Sequence, residues 1–309
     1  MATKAKQAKR SPQKRATASQ ASASSRLSVM KTYKLYIKGK FPRTESGRYD
    51  VFTSADDTPV ANICRGSRKD FRDAVCAARD AAAPWSKASS YLRGQILYRI
   101  AEILEGRRDQ FEAELVQQGA RRAAAASEVT AAIDRLVYYA GWSDKMQQIF
   151  SAVNPVSSAH FNFSMCEATG VVAIIAPGES GLLGLVSNIA PAIVAGNSCV
   201  VLASSQFPLT SITFAEVLNS SDVPAGVVNI LTGHRSDLLS HFASHMDVNA
   251  LVYCGNDVKE IKAAQLASAE NVKRAVIRRT TKWNHADAQS PYMILDTQEI
   301  KTTWHPIGN

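Results

Sequence analysis

Three short stretches carry residue types that could do chemistry. Gly178, Glu179, Ser180 and Gly181 follow an apolar run and precede a helical one. That is the context of a nucleophile elbow, whose pattern is G-x-S-x-G. The last position here is Leu182, and no downstream Asp/His pair is placed to activate Ser180. The same glycines suit a phosphate loop, but no Lys-Ser/Thr follows them. His241 and His245 stand one helical turn apart, with His234 nearby. Such a pair chelates zinc when a third ligand joins it; solvent-facing or capping histidines satisfy the pattern equally, and no metal is expected. Arg278, Arg279 and Lys282 can hold an anion or simply form a solvated charged edge.

The elements that must position these residues are written in the hydropathy. GVVAII (170–175), CVVLA (199–203) and VVNILTG (227–233) are short, continuous apolar runs. Helical stretches separate them, one ending at AGN (195–197) and one following a polar loop. Alternating strand and helix with short connections predicts an α/β fold, a Rossmann-like parallel sheet with flanking helices. Ligands of such sheets bind outside the carboxyl ends of the strands. Upstream, the alanine-rich stretch 120–132 is a strong helix former, with Val129, Ile133 and Leu136 as its packed face. Trp85, Tyr138, Tyr139 and Trp142 are expected to be core and packing residues.

Composition narrows the setting. No run of ~18 apolar residues exists, so no membrane-spanning helix is expected. Five scattered cysteines without a CxxC spacing argue against a disulfide framework and fit a reducing, cytoplasmic location. Cys199 belongs in a strand interior as a small buried hydrophobe. The net charge is +9, yet residues 1–26 carry seven Lys or Arg and no acid, which leaves about +2 for the rest. That tail has almost no apolar residues and is expected to be disordered. It is read either as a solubilising extension or as a contact for nucleic acid through phosphate neutralisation.

From about Tyr33 to Ile294 the chain resembles the aldehyde dehydrogenase superfamily. KLYIKGKFPRTESGRYDVF is similar to that family's N-terminal hairpin, and 70–111 to its first helix pair. AIDRLVYYAGWSDK resembles the helix before its bridging hairpin, and Phe161–Glu167 that hairpin's second strand. DVNALVYCGNDVKEIK sits where the family has a strand and a phosphate-side loop. The resemblance implies NAD or NADP as cofactor, weakly held or lost, with Pro177, Gly255 and Asn256 as the positions left to line its groove. It also implies a partition into a disordered basic tail (1–30), a coenzyme domain (31–276) with a bridging hairpin near 149–167, and a remnant of the catalytic domain (277–309).

The reactive positions depart from the family pattern. Where the family has Pro-Trp-Asn-Phe this chain has Pro177, Gly178, Glu179 and Ser180; a carboxylate there repels the oxyanion that the family's Asn stabilises. The ribose-gripping Lys-Pro-x-Glu is replaced by Ala203, Ser204, Ser205 and Gln206. Arg235 and Leu239 replace glycines that admit the adenine, although Gly233 remains, and Leu239 is expected to narrow that slot. Glu260 stands at a further glycine position. Arg278 occupies the place of the general-base Glu, followed by an inserted WNHADAQ (283–289). The sequence given stops at Asn309, before the position of the family's cysteine nucleophile, whose thiolate the reaction requires. No catalytic residue is therefore assigned. The expected function is a non-catalytic family member acting with a full-length aldehyde dehydrogenase or as a homo-oligomer. Two alternatives stay open: an NAD(P)-binding oxidoreductase whose thiolate comes from another chain, and a binding protein whose basic tail contacts nucleic acid.

Overall fold

The computed structural model describes residues 29–54, 57–279 and 282–308. The chain divides into two units, 1–30 and 31–309, and the second is described below. The basic tail called for by the sequence lies outside the described residues, Val29 and Met30 apart, as do Thr280 and Thr281.

The unit opens with β1 (Lys31–Tyr33), β2 (Tyr49–Thr53) and β3 (Pro59–Cys64), then α1 (Arg68–Lys87), α2 (Ser90–Gly106), α3 (Arg108–Gln117), α4 (Arg122–Ala140) and α5 (Met146–Phe150). Next come β4 (Ala152–Asn154) and β5 (His160–Ala168), which pair antiparallel. The βα alternation follows as β6 (Val171–Ile175), α6 (Leu183–Val194), β7 (Ser198–Leu202), α7 (Pro208–Ser220), β8 (Val228–Leu231), α8 (Arg235–Ser244), β9 (Ala250–Cys254), α9 (Val258–Ala269) and β10 (Arg274–Arg278). A short α10 (Tyr292–Leu295) leads into β11 (Gln298–Pro306). The expected parallel sheet is present with five strands in the order β10-β9-β6-β7-β8.

Alternation of side chains across the sheet builds a core on each face. Val172, Ile174, Cys199, Val201 and Val252 point to one cluster, which α2, α4, α6 and α7 cover. Val171, Ala173, Ile175, Val200, Leu202 and Leu251 point to the other, under α1, α8 and α9. Every residue of β6, β7, β8 and β9 is buried, which is why these strands read as unbroken apolar runs. Val129, Ile133 and Leu136 are buried on α4, as their spacing predicts, and Trp85 and Tyr139 are wholly internal.

The N-terminal hairpin expected within 34–52 is present in a short form. A two-residue turn at Lys38 and Gly39, both with positive φ (51° and 69°), closes Ile37 onto Lys40. Leu35 N donates to Pro42 O (3.1 Å), extending the hairpin one step further, while the outward side of the arm, through Tyr36, exchanges backbone hydrogen bonds with Ile230 at the edge of β8. The longer antiparallel ladder joins β2 to β3. The unpaired side of β8 captures Tyr36 and thereby closes one edge of the main sheet.

A second small sheet has the order β11-β5-β4, with nine register pairs between β5 and β11. Phe161, Met165, Ile300 and Trp304 remain exposed on it. Among the described residues, no helix is long and apolar enough to cross a membrane.

Candidate functional site

A parallel sheet opens a crevice where chain progression reverses direction. Here β6 leads to β7 and β8 on one side and neighbours β9 on the other, so the reversal lies between β6 and β9. Pro177 follows the end of β6, and Gly255 and Asn256 follow the end of β9, so all three border this crevice. Pro177 packs against the first turn of α6 at Gly184. The Gly255 amide donates to the Arg278 carbonyl (3.1 Å).

The crevice is occupied by a side chain of the protein itself. Arg235, at the first position of α8, extends Nη2 to the carbonyl oxygens of Ala176 (2.5 Å) and Cys254 (3.0 Å). One guanidinium thus ties together the carboxyl ends of β6 and β9, the work its rigid fork of donors suits. The ring of Tyr253 lies 5.6 Å from the guanidinium carbon, and Glu260 Oε2 is 3.8 Å from Nη1. Glu260 also accepts from the Tyr253 hydroxyl at 2.5 Å. Burial, followed by that hydrogen bond, raises the tyrosine pKa. Leu239 is buried in the core cluster with Leu238, Phe242 and Tyr253.

The helix ends facing this rim are closed by internal groups as well. Glu128 of α4 reaches the start of α6, where Oε1 accepts from Ser180 Oγ (2.7 Å), Leu182 N (2.9 Å) and Leu183 N (3.1 Å). Free amides and a positive dipole end make such a terminus a ready anion site; here a carboxylate of the chain fills it. Ser180 Oγ also accepts from Gly184 N (2.8 Å), so it acts as a capping hydroxyl. At α9, Asp257 accepts from Lys259 N (2.8 Å) and Glu260 N (2.9 Å), and these backbone bonds hold its carboxyl below the usual range. Between β6 and β7, Ser204 Oγ donates to Gly178 O (3.0 Å) and accepts from Gln206 N, stitching the two loops together.

The remaining positions singled out in the sequence fall around this rim. Glu179 is exposed, and its Oε1 accepts from the indole of Trp283 (3.2 Å). Trp283 belongs to the inserted segment 283–289, which is held from beneath by the buried Arg135. Arg135 donates to the carbonyls of Trp283 (2.9 Å) and Ala288 (2.5 Å) and to Ser187 Oγ (2.5 Å). Arg278 pairs with Asp296 (3.0 Å), which fixes its charge at the edge of β10. His241 and His245 lie away from the crevice, at the end of α8, and no group of three metal-ligating side chains exists among the described residues.

Sequence reasoning missed three of these features: the bridging role of Arg235, the cap supplied by Glu128 and the place of Cys254. Cys254 ends β9 at the crevice floor and is fully buried. Burial pushes its thiol up to about 12, against the pull of Arg278 and Arg235, so it stays protonated at neutral pH. Among the described residues, all five cysteines are free thiols.

Comparison with known proteins agrees with this geometry at the level of fold. The aldehyde dehydrogenase family model matches residues 41–285. A cytosolic aldehyde dehydrogenase 1 of Elephantulus edwardii is 30% identical over 252 residues, covering 79% of this chain and 49% of that protein. An omega-crystallin of Enteroctopus dofleini is 30% identical over 253 residues, covering 79% and 50%. Among solved structures, a Bacillus cereus aldehyde dehydrogenase in complex with NAD+ superposes with a TM-score of 0.76 at 25% identity. The match covers 81% of this chain and 51% of that one. The chain therefore spans about half the length of the relatives it matches.

Proposed function

Because the chain belongs to the aldehyde dehydrogenase family, we propose that it is a non-catalytic member acting beside an active, full-length dehydrogenase or a second copy of itself. The observation that carries this reading is Arg235, whose guanidinium spans the ends of β6 and β9 where a dinucleotide would enter. Supporting it, Glu128 and Asp257 place carboxylates at the helix ends that would otherwise receive phosphate. Glu179 adds a further negative charge beside the position where an oxyanion would develop. Of the residues assigned to the cofactor groove, Pro177 and Gly255 border the plugged crevice and Asn256 follows them.

The partner is proposed to cover the apolar side chains left exposed on the β11-β5-β4 sheet, Phe161, Met165, Ile300 and Trp304 among them. A cytoplasmic location belongs to the same proposal, in keeping with five free cysteines. Co-purification from native cells at endogenous level tests the reading. A dehydrogenase eluting with the chain is expected; a stable monomer with no dehydrogenase overturns it.

A second reading is favoured by the retained fold around β6 and β9 and by neighbours solved with NAD+. In it the chain still binds NAD(P), and another chain supplies the thiolate. Titration with NAD(H) and NADP(H) separates the two readings: no thermal shift at millimolar cofactor removes the second, and a saturable shift removes the idea of a closed crevice.

A further inference from the structure

A sizeable opening lies away from the strand ends. It is a cleft of about 740 Å³ between the first turn of α1 and the last turn of α8. Arg48, Arg68, Lys69 and Arg72 line it, opposed by one carboxylate, Glu45. That carboxylate is already engaged, accepting from Ser67 Oγ (2.9 Å) and pairing with Lys69 at 3.7 Å. The Arg68 side chain makes no hydrogen bond or ion pair among the described residues, whereas Arg72 pairs with Asp73 (3.4 Å), a solvent-side carboxylate outside the lining. Four cations thus face one carboxylate in the lining, while the first amides of α1 are already capped by Ser67 and Asp70 and add nothing to the site.

His241 and His245 form the opposite wall. Nδ1 of His245 accepts the Asp247 amide (3.2 Å), which leaves the proton of the neutral ring on Nε2 as a donor. Phe71 forms a firm floor, stacked on Phe242 (4.1 Å between centroids) and edge-on to His245 (5.6 Å). Burial, with Arg68 nearby, holds His241 below the ordinary imidazole range. Burial does the same for His245, with Lys273 adding to it and Asp247 opposing it.

We propose that this cleft is a binding site for an anion bearing two or more linked phosphates. Arg68 and Arg72 are one helical turn apart, about 5–6 Å between Cβ atoms, which two linked phosphates can bridge. Guanidinium forks suit phosphate oxygens better than a single carboxylate needs. The volume fits a small phosphorylated molecule, since ligand cavities run from about 300 to 1,000 Å³. The site is separate from the crevice plugged by Arg235, so it stands or falls independently of the proposed function.

The test uses the complete chain with sodium tripolyphosphate as probe, at about 0.15 M salt so that loose association with exposed cations is screened. Calorimetry gives the affinity, and histidine side-chain NMR gives the place. Saturable binding is expected, with the His241 and His245 pKa values rising by about one unit as the anion neutralises their surroundings. Arg68→Ala/Arg72→Ala, at two exposed positions, should weaken binding by about tenfold or more. Inorganic monophosphate should bind more weakly than tripolyphosphate. Absence of binding at millimolar probe overturns the proposal. So does binding of equal strength in the double variant with both imidazoles unmoved, which would place the anion on residues 1–26 instead.

Discussion

Replacing Arg235 by alanine probes the closed crevice most directly. The substitution removes two hydrogen bonds from a charged donor, to Ala176 O and Cys254 O. Bonds to charged groups contribute about 1.5–3 kcal/mol each. Because the Arg235 side chain is 28% exposed, water reaches the freed carbonyls and the lower figure applies. The pairing with Glu260 adds about 0–1 kcal/mol, and stacking on Tyr253 a similar amount. Relief from holding a half-buried cation offsets these smaller contributions, which leaves a net loss of about 3 kcal/mol. For a chain of this size that corresponds to a fall in Tm of about 5 °C. Urea unfolding of parent, Arg235→Ala and Arg235→Lys gives the answer. The lysine variant should fall between the others, because one ammonium lacks the planar fork that spans both strands. Alanine stability within about 0.5 kcal/mol of the parent would refute the idea that this guanidinium clasps β6 to β9. If the alanine variant also gains a nucleotide-dependent thermal shift, Arg235 is the element that closes the groove.

Other perturbations have equally definite outcomes. Glu128→Ala strips the acceptor from Ser180 Oγ, Leu182 N and Leu183 N and should cost about 2 kcal/mol in denaturant unfolding. Gly226→Ala combines φ of 92° with a Cβ driven into the Ala77 carbonyl, so a loss above about 3 kcal/mol, or no folded protein, is expected. Lys273 is buried, and its ammonium titrates at about 8 in the fold against 10.5 ordinarily. Between those values the unfolded chain binds more protons, so this group makes stability rise with pH, and its full cost is present below pH 8. Lys273→Met should therefore stabilise the protein by about 2 kcal/mol at pH 7, after allowing for the lost bond to His245 O, with the advantage fading towards pH 10 in paired unfolding curves. Deleting residues 1–26 removes seven cations and should abolish salt-dependent retention on immobilised nucleic acid if the tail makes that contact; unchanged retention dismisses it.

The parallel sheet was legible because its strands are buried on both faces, and continuous runs such as 171–175 have no other economical reading. The β5–β11 pairing was not. β11 is exposed along nearly all its length and carries Lys301, Thr302, Thr303 and His305, which show no apolar alternation. The departures from the family at Glu179, Arg235 and Arg278 could be read from residue types alone. What those side chains do instead could not, since Arg235 joins carbonyls 59 and 19 residues away. Glu128 was hidden in an alanine-rich helix whose propensity explains it without reference to α6. Partnerships of this kind depend on side-chain reach across elements, and local pattern holds no record of it.

The internal closure of the crevice alters how the fold responds to its surroundings. A protein whose native state alone binds a nucleotide gains about 4 kcal/mol when that ligand is present at a thousand times its dissociation constant. Its resistance to heat and proteolysis then follows the metabolic supply of that ligand. A chain that ties the ends of β6 and β9 through its own arginine carries the equivalent contacts covalently attached, at a fixed effective concentration. Under the proposed closed-crevice reading, its stability is set by these tethered contacts rather than by cofactor supply.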